Sequence, residues 1–198
     1  MSPTKRALAV GAVAATAVLL GGGTAFGLSF SLPKPKDSRI VVPTSIAGIS
    51  LGMAESKALA AWGAGQGKCT STGTPPGSHV YCNYGDYESA STGSVALSFY
   101  KHKVVELYVN SARVGTGDPN FKAAAALLKM KTKSGLGLGS KYADVKMEYP
   151  KGTLQGTPRD ERFIYTIKGK GKASFTFTFW GKNQKAFVLG FTDGIYHP

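Results

Sequence analysis

The chain has 198 residues and a formal net charge of +13 at neutral pH, with 24 Lys and Arg residues against 11 Asp and Glu. This length can bury a core as one compact unit or two very small ones. Two cysteines and three scattered histidines exclude a zinc site of the Cys- and His-rich kind. The basic excess favours encounters with polyanions or acidic proteins without selecting one, and a solubilising surface is an equally open interpretation.

The N-terminus has the pattern of a secretory signal peptide, which we assign to residues 1–27. Two basic residues precede an apolar run over residues 7–20, and small residues before Leu28 suit cleavage by a signal peptidase. We therefore predict a secreted, extracytoplasmic domain. Because apolar residues continue to Leu32, an uncleaved N-terminal membrane anchor carrying an extracytoplasmic domain is the alternative.

A self-match at a spacing of 87 residues organises the rest of the chain. The segment Ile49–Met53 aligns with Leu136–Ser140, and each is followed by an aromatic residue, Trp62 or Tyr149. A short amphipathic helix is predicted between these marks in each copy. The predicted organisation is a signal peptide over residues 1–27, an extended proline-interrupted arm over 28–43, a first repeat over 44–112 and a second over 113–198.

Downstream of each helix, apolar residues alternate with polar ones and predict strands. The predicted strands cover residues 79–84, 94–100, 104–110, 162–168, 173–180 and 185–192, and a further helix covers 118–129 with Asp118 as its cap. We therefore predict an α+β fold of two tandem repeats. In each repeat the helices pack on a three-stranded antiparallel meander, and the two meanders can join into one curved sheet.

Aromatic residues of the second repeat fall on one face of its predicted meander. The alternation assigns Phe175, Phe177 and Phe179, and then Phe187, Leu189 and Phe191, to a face that the helices cover. The intervening Ser and Thr residues fall on the opposite face. We interpret this Phe stripe as core, because a meander needs a helix to cover it, although an exposed ligand-binding platform is the alternative.

Cys69 and Cys82 are the two cysteines, and both lie in the exported part. An even number of cysteines in an extracytoplasmic domain predicts a disulfide, which stabilises a short loop of this kind by roughly 3 kcal/mol. The three histidines are far apart along the chain. No metal and no other cofactor is therefore predicted.

Motifs for catalysis are weak in this sequence. The glycine-rich segment Gly135–Gly139 could cradle a phosphate, but no parallel βαβ pattern surrounds it and no Walker Gly-Lys-Ser/Thr follows. The adjacent acids Asp160 and Glu161 are interpreted as solvated turn charges. We predict no catalytic residues and no enzymatic activity.

Several features occur together in the first half: Gly52-Met53 at a helix start, an Ala-rich helix, and Cys69 followed by a Gly/Ser/Thr loop that leads to Cys82. Over residues 45–110 these features resemble the secreted bacterial beta-lactamase inhibitor proteins; residues 120–192 are similar only in pattern. The resemblance implies tandem helix-on-sheet repeats, a fold shared with outer-membrane assembly lipoproteins of the BamE type. It also implies a Gly-Asp-Tyr loop that enters the active site of an enzyme, matched here by Gly85-Asp86-Tyr87.

The predicted function is a non-catalytic protein-binding module whose partner is another protein, such as a secreted or envelope enzyme. Its candidate contacts are strand residues opposite the core together with Tyr84, Asp86 and Tyr87. The alternative is a basic cell-envelope protein that binds anionic polymers, either a cell-wall polyanion or nucleic acid. Its candidate contacts are the hairpin lysines: Lys101 and Lys103 in the first half, and Lys168, Lys170, Lys172, Lys182 and Lys185 in the second.

Overall fold

A computed structural model describes residues 32–33, 35–62, 68–73, 75, 77–86, 93–111, 123–181, 184–195 and 197. The predicted signal peptide and the predicted helix cap Asp118 lie outside these residues. Among the helices that are described, none combines the length and the apolar character needed to cross a bilayer.

Antiparallel strands are the predominant secondary structure of the described chain. A small sheet of three strands has the order β1-β2-β3, with β1 at Ile40–Val41, β2 at Ser45–Ile46 and β3 at Ile49–Ser50. A larger sheet of eight strands has the order β4-β5-β6-β7-β11-β10-β9-β8. Its strands are β4 (Lys68–Thr72), β5 (His79–Asp86), β6 (Gly93–Tyr100), β7 (Lys103–Asn110), β8 (Thr153–Gln155), β9 (Arg162–Lys168), β10 (Ser174–Trp180) and β11 (Lys185–Thr192).

Three short helices are described: α1 (Glu55–Ala61), α2 (Ala125–Leu128) and α3 (Tyr142–Glu148). Helices α1 and α3 help to cover one face of the large sheet. Next to α1, the buried Trp62 ring packs edge-on against Tyr84 of β5, with ring centroids 5.2 Å apart, and its indole N–H donates to the Ala47 carbonyl at 3.2 Å. In α3, the Tyr142 ring contacts Phe163 and Phe179 edge-on at 5.2 and 5.5 Å.

The covered face of the large sheet follows the predicted alternation. Phe175, Phe177 and Phe179 of β10 are fully buried, so the core interpretation of this part of the Phe stripe is confirmed. The two halves of the chain meet where β7 pairs with β11, with Val109 opposite Leu189. Buried residues of both halves form one continuous hydrophobic cluster. The sheet therefore has one core, and burial of this apolar surface is the main stabilising term.

The predicted fold class, two tandem α+β repeats with three-stranded meanders, is wrong. Each half contributes four strands to a single sheet, and the helices have at most seven residues in the described chain. The additional strands β4 and β8 are exposed along their whole length, so they lack the apolar alternation that identifies a strand. The domain is mostly β.

Two further predicted elements differ from the structure. The arm predicted over residues 28–43 includes β1, and Ile40 of this strand is buried in the core. The helix predicted over residues 118–129 is, in its described part, the single turn Ala125–Leu128. The burial of Ile40 depends on contacts with distant parts of the chain, so local periodicity does not predict it.

The glycine turns of the 87-residue match make corresponding backbone hydrogen bonds. The Gly52 N–H donates to the Val104 carbonyl, and the Gly139 N–H donates to the Ala186 carbonyl, both at 2.8 Å. Both glycines have positive φ, at 74° and 82°, a region that L side chains rarely adopt. These hydrogen bonds connect the turn before α1 to β7 and the turn before α3 to β11. The two-repeat architecture that was predicted from the match is nevertheless wrong, because the eight strands from β4 to β11 all belong to one sheet.

Candidate functional site

The large sheet has an open face opposite the helices. Because side chains alternate along each strand, this face carries the residues between the core positions. Three rows cross it in register: Tyr81, Ser98, Glu106 and Thr192; then Asn83, Ala96, Tyr108, Gly190 and Thr176; then Gly85, Ser94, Asn110, Val188, Thr178 and Ile164. The small residues Ser94, Ala96 and Ser98 are buried among their neighbours, whereas Tyr81 is 40% exposed. Tyr108, Ile164 and Val188 are half-buried, so this face is less polar than a sheet face turned fully to water.

Tyr108 occupies the centre of the open face. Gly190 of the neighbouring strand lacks a Cβ, and a Cβ there would overlap the Tyr108 ring and the Leu107 carbonyl oxygen. The ring therefore lies directly over the β11 backbone. Burial, and secondarily the charge of Glu106 and its hydrogen bond with the phenol, raises the pKa of Tyr108 above its ordinary value. Ser98 donates to the same Glu106 carboxylate at 3.3 Å.

An open groove of about 690 Å³ lies beside Tyr108. Its wall includes Ile164, Phe187 and Val188, and its edges carry two cations, Lys68 of β4 and Arg162 of β9. Trp180 packs edge-on against Phe187, with ring centroids 5.1 Å apart. The groove therefore combines an aromatic and aliphatic surface with positive charge at its edges.

Phe187 shows where the predicted alternation fails. The sequence pattern assigns it to the covered face, but the pairing of β10 with β11 shifts between Thr178 and Phe179, so Thr178 is opposite Val188 and Phe179 is opposite Ala186. This bulge places Ala186 in the core and leaves Phe187 in the groove wall. Sequence reasoning missed Phe187 because register is set by the neighbouring strand and not by the strand itself.

The predicted disulfide is confirmed. Cys69 of β4 and Cys82 of β5 are directly opposite each other, with Cα atoms 4.0 Å apart, and their sulfurs are bonded. Because disulfides persist in oxidising compartments, the domain is extracytoplasmic. The alternative of an N-terminal membrane anchor falls outside the described residues apart from Leu32, and nothing observed supports it.

The three candidate contacts near Cys82 have different places. Tyr84 is 2% exposed on the covered face, where burial raises its pKa, so its ring packs in the core and cannot contact a partner in this structure. Asp86 ends β5 beside the groove residue Gly85. Tyr87 lies outside the described residues. Tyr81 is the exposed tyrosine of β5. It was not among the residues named from the sequence, but it belongs to the strand residues opposite the core that were expected to form contacts, as its alternation with the buried Cys82 shows.

The candidate lysines do not form one patch. Lys168 is exposed at the end of β9, and Lys170 and Lys172 are exposed in the turn between β9 and β10, at the sheet end opposite the groove. Lys185 starts β11 at the other end, opposite Trp180. Lys182 lies outside the described residues. The structure instead brings Lys170 and Lys172 close to Lys101 and Lys103 of the first half.

The histidines are each engaged separately. His102 contacts Glu55 at 2.8 Å, His197 contacts Asp193 at 2.8 Å, and the His79 ring lies edge-on to Tyr100. Within the ranges that the structure describes, no group of three or more His, Cys, Asp and Glu residues could hold a metal ion.

Comparisons with known proteins give a structural likeness only. No protein-family model matches the chain, and no curated protein matches it. A solved structure of an extracellular protein containing a SCP domain from Bacillus anthracis str. Ames is similar over 72% of this chain and 44% of that chain, at 14% sequence identity and a TM-score of 0.42. The chain thus spans less than half the length of that protein.

The resemblance to the beta-lactamase inhibitor proteins and to BamE-type lipoproteins is wrong. It implied a two-repeat α+β arrangement, whereas the structure is a mostly β domain with an eight-stranded and a three-stranded sheet. The features that suggested it, a glycine turn, a short Ala-rich helix and a pair of cysteines, are local and do not fix an architecture. The interpretation of Gly85-Asp86-Tyr87 as an inhibitory loop has no remaining basis.

Proposed function

We propose that this domain is an extracytoplasmic, non-catalytic protein-binding module that recognises another protein through the open face of its large sheet. The observation that carries the proposal is the partial exposure of aromatic and aliphatic side chains on the face of the sheet that the described helices do not cover. Tyr81 is 40% exposed, and Ile164, Phe187 and Val188 line the adjacent groove. Aromatic residues are enriched in the buried centres of protein interfaces, where they supply most of the binding energy.

The chemistry of the groove favours binding over catalysis. Its described wall consists of aromatic, aliphatic, hydroxyl and amide side chains, with Lys68 and Arg162 as its charged residues. No His, Cys, Asp or Glu residue is among the described side chains that line it, and these groups are the ones that most often act as general acids and bases. A groove wall that combines apolar side chains with hydroxyl and amide groups resembles the contact surfaces through which proteins bind one another.

The proposed partner presents acidic residues around an apolar centre. Lys68 and Arg162 lie on opposite sides of the groove, so carboxylates at the rim of the partner would meet a cation on each side. The net charge of +13 accelerates the encounter with such a surface. A secreted or envelope enzyme with an acidic rim has this chemistry.

A photo-crosslinking residue at position 81 tests which face is used. The matched control replaces Met147, an exposed residue of α3 on the helix-covered side, which is 79% exposed. We expect a protein from the extracytoplasmic fraction to be crosslinked from position 81 and not from position 147. Crosslinking of the same protein from both positions with equal yield would argue against a face-specific site.

Affinity measurements on the captured partner then test the proposed contacts. We expect Tyr81→Ala and Phe187→Ala each to weaken binding by about 2 kcal/mol or more if they are anchors, with Met147→Ala as the control. Asp86→Ala and Tyr87→Ala test the contacts predicted from the sequence in the same assay. If the partner were instead an anionic polymer, Lys168, Lys170 and Lys172 exchanged together for Gln would weaken binding and flatten its salt dependence, while the groove variants would have no effect.

A further inference from the structure

A second concave site lies at the end of the sheet opposite the groove. It is a hollow of about 790 Å³ between the turn that joins β6 to β7, the turn that joins β9 to β10, and the segment after β11. Four exposed lysines stand around it: Lys101, Lys103, Lys170 and Lys172. The two turns belong to different halves of the chain, so only the joined sheet brings these charges together.

Backbone contacts fix the positions of the two turns that carry these four lysines. Lys101 begins a tight turn with φ of 47°, and its N–H donates to the Ser78 carbonyl at 2.8 Å. The Lys101 ammonium lies 5.2 Å from the centroid of the Tyr100 ring, a cation–π distance. On the other side, Gly194 packs against the Lys172 backbone so closely that a Cβ would overlap the Lys172 carbonyl. The backbone segments that carry the two pairs of lysines therefore have set positions on opposite sides of the hollow.

The floor of the hollow is apolar. It includes Leu51, Val105 and Ile195, of which Ile195 is 53% exposed, Leu51 is half-buried and Val105 is 8% exposed. Val105 reaches this position because the pairing of β6 with β7 shifts, so that Ser98 is opposite Glu106 and Phe99 is opposite Val104. The resulting bulge leaves Val105 between the two paired positions and outside the core row.

The single carboxylate in the lining, Asp193, is already engaged. One of its oxygens lies 2.8 Å from His197 Nε2, and the other accepts the Ile195 N–H at 3.0 Å. The His197 ring in turn stacks on Tyr100, with centroids 4.3 Å apart. The four lysines outnumber this one carboxylate, so the lining of the hollow carries a net positive charge.

We propose that this hollow binds an anionic phospholipid, with its phosphate between the two lysine pairs and its apolar part on Val105 and Ile195. Lysine ammonium groups bind phosphate as point charges, and a basic cluster beside exposed apolar residues matches the surface of an anionic membrane. A free anion would leave the exposed side chain of Ile195 in water, and an uncharged apolar ligand would leave the lysines without a counter-charge. The site is distinct from the groove of the proposed function and does not depend on it.

The test measures binding of short-chain phosphatidylglycerol, below its micelle concentration, to the purified protein by isothermal titration calorimetry. Glycerol phosphate supplies the head without chains, and short-chain phosphatidylcholine supplies the chains without net charge. We expect phosphatidylglycerol to bind about tenfold or more tightly than either, because both parts of the ligand find a matching surface.

Variants locate the site. Lys101→Gln with Lys103→Gln, or Lys170→Gln with Lys172→Gln, should each weaken phosphatidylglycerol binding by about 30-fold. Lys133→Gln with Lys151→Gln is the charge-matched control at exposed lysines outside the hollow and should leave binding unchanged. Ile195→Ser should weaken phosphatidylglycerol and leave any binding of glycerol phosphate as it is. All of these positions are exposed, so circular dichroism should show unchanged folding.

Any one of four results would overturn the proposal. The first is the absence of phosphatidylglycerol binding, and the second is equal affinity for glycerol phosphate and phosphatidylglycerol. The others are equal affinity for the two lipids and equal weakening by the control pair and by the two pairs of lysines around the hollow. Because Tyr81→Ala leaves the hollow intact, its lipid affinity should match that of the unmodified protein whether or not the groove binds a protein.

Discussion

The two faces of the eight-stranded sheet are built by one alternation of side chains and carry different chemistry. On the covered face the alternate residues are large and buried, as are Leu97 and Phe177. On the open face the same strands carry Ser and Thr with a few aromatic residues, among them Tyr81 and Tyr108. Packing of the core accounts for the large residues on the covered face, but it does not require aromatic residues on the open face. Substitutions on the covered face should therefore change stability, and substitutions on the open face should change binding.

Phe177→Ala should have the largest effect on stability. The Phe177 ring is fully buried on β10, between Phe175 and Phe179 along the strand, with ring centroids 5.2 and 6.3 Å away. Its truncation removes apolar burial and leaves a cavity, so we expect a loss of about 3–5 kcal/mol in the free energy of unfolding, measured by urea denaturation. Thr176→Ala, on the same strand and the open face, is the control and should cost much less. Similar losses for the two variants would mean that the faces are not energetically distinct.

Gly190→Ala should have the next largest effect, although Gly190 belongs to the open face. The added Cβ would overlap the Leu107 carbonyl oxygen, a backbone atom that cannot move without shifting β7. We expect a loss of about 1–3 kcal/mol by urea denaturation. Thr192→Ala on the same strand and face is the control. A neutral Gly190→Ala would show that Tyr108 does not lie over β11 as the structure has it.

The sequence predicts individual strands well and their assembly poorly. The strands β9 and β11 begin and end where alternation predicts, and the strands β5, β6, β7 and β10 differ by at most two residues at either end. The edge strands β4 and β8 are exposed at every residue and mostly polar, so no alternation of apolar residues identifies them. The joining of β7 to β11 is a contact between residues about 80 positions apart, which local periodicity does not encode.

The candidate site was predictable only in part. The general expectation that strand residues opposite the core form contacts leads to Tyr81 and Tyr108, whereas the specific choice of Tyr84 overlooked its shared alternation with Cys82. The bulges that place Val105 and Phe187 outside the core row depend on the register of neighbouring strands. The alternation within β7 or within β11 alone therefore could not show that these two side chains lie outside the core.

The alkaline pH dependence of stability should report the environment of Tyr108. Because burial and Glu106 raise its folded-state pKa above the ordinary value of about 10, its contribution to stability is fully present below that pH. The contribution decreases as the pH rises through the unfolded-state pKa toward the folded one. We expect Tyr108→Phe to reduce the slope of unfolding free energy against pH above about pH 10. The remaining slope includes Tyr84 and Tyr149, whose pKa values burial also raises. An unchanged slope would place the Tyr108 hydroxyl in water.

Tyr81→Ala should have the smallest effect on stability and so tests the separation of the two faces most directly. The side chain is 40% exposed on the open face, in the row that contains Ser98 and Glu106, and its loss leaves no cavity in the core. We expect the free energy of unfolding to change by no more than about 0.5 kcal/mol, as for most surface substitutions, while the affinity for the protein partner falls by about 2 kcal/mol or more. Tyr81→Phe separates the ring from its hydroxyl, because a hydrophobic anchor keeps most of its affinity without the oxygen. If Tyr81→Ala instead destabilised the fold as much as Phe177→Ala, the open face would be structural, and its aromatic residues would give no reason to infer a partner.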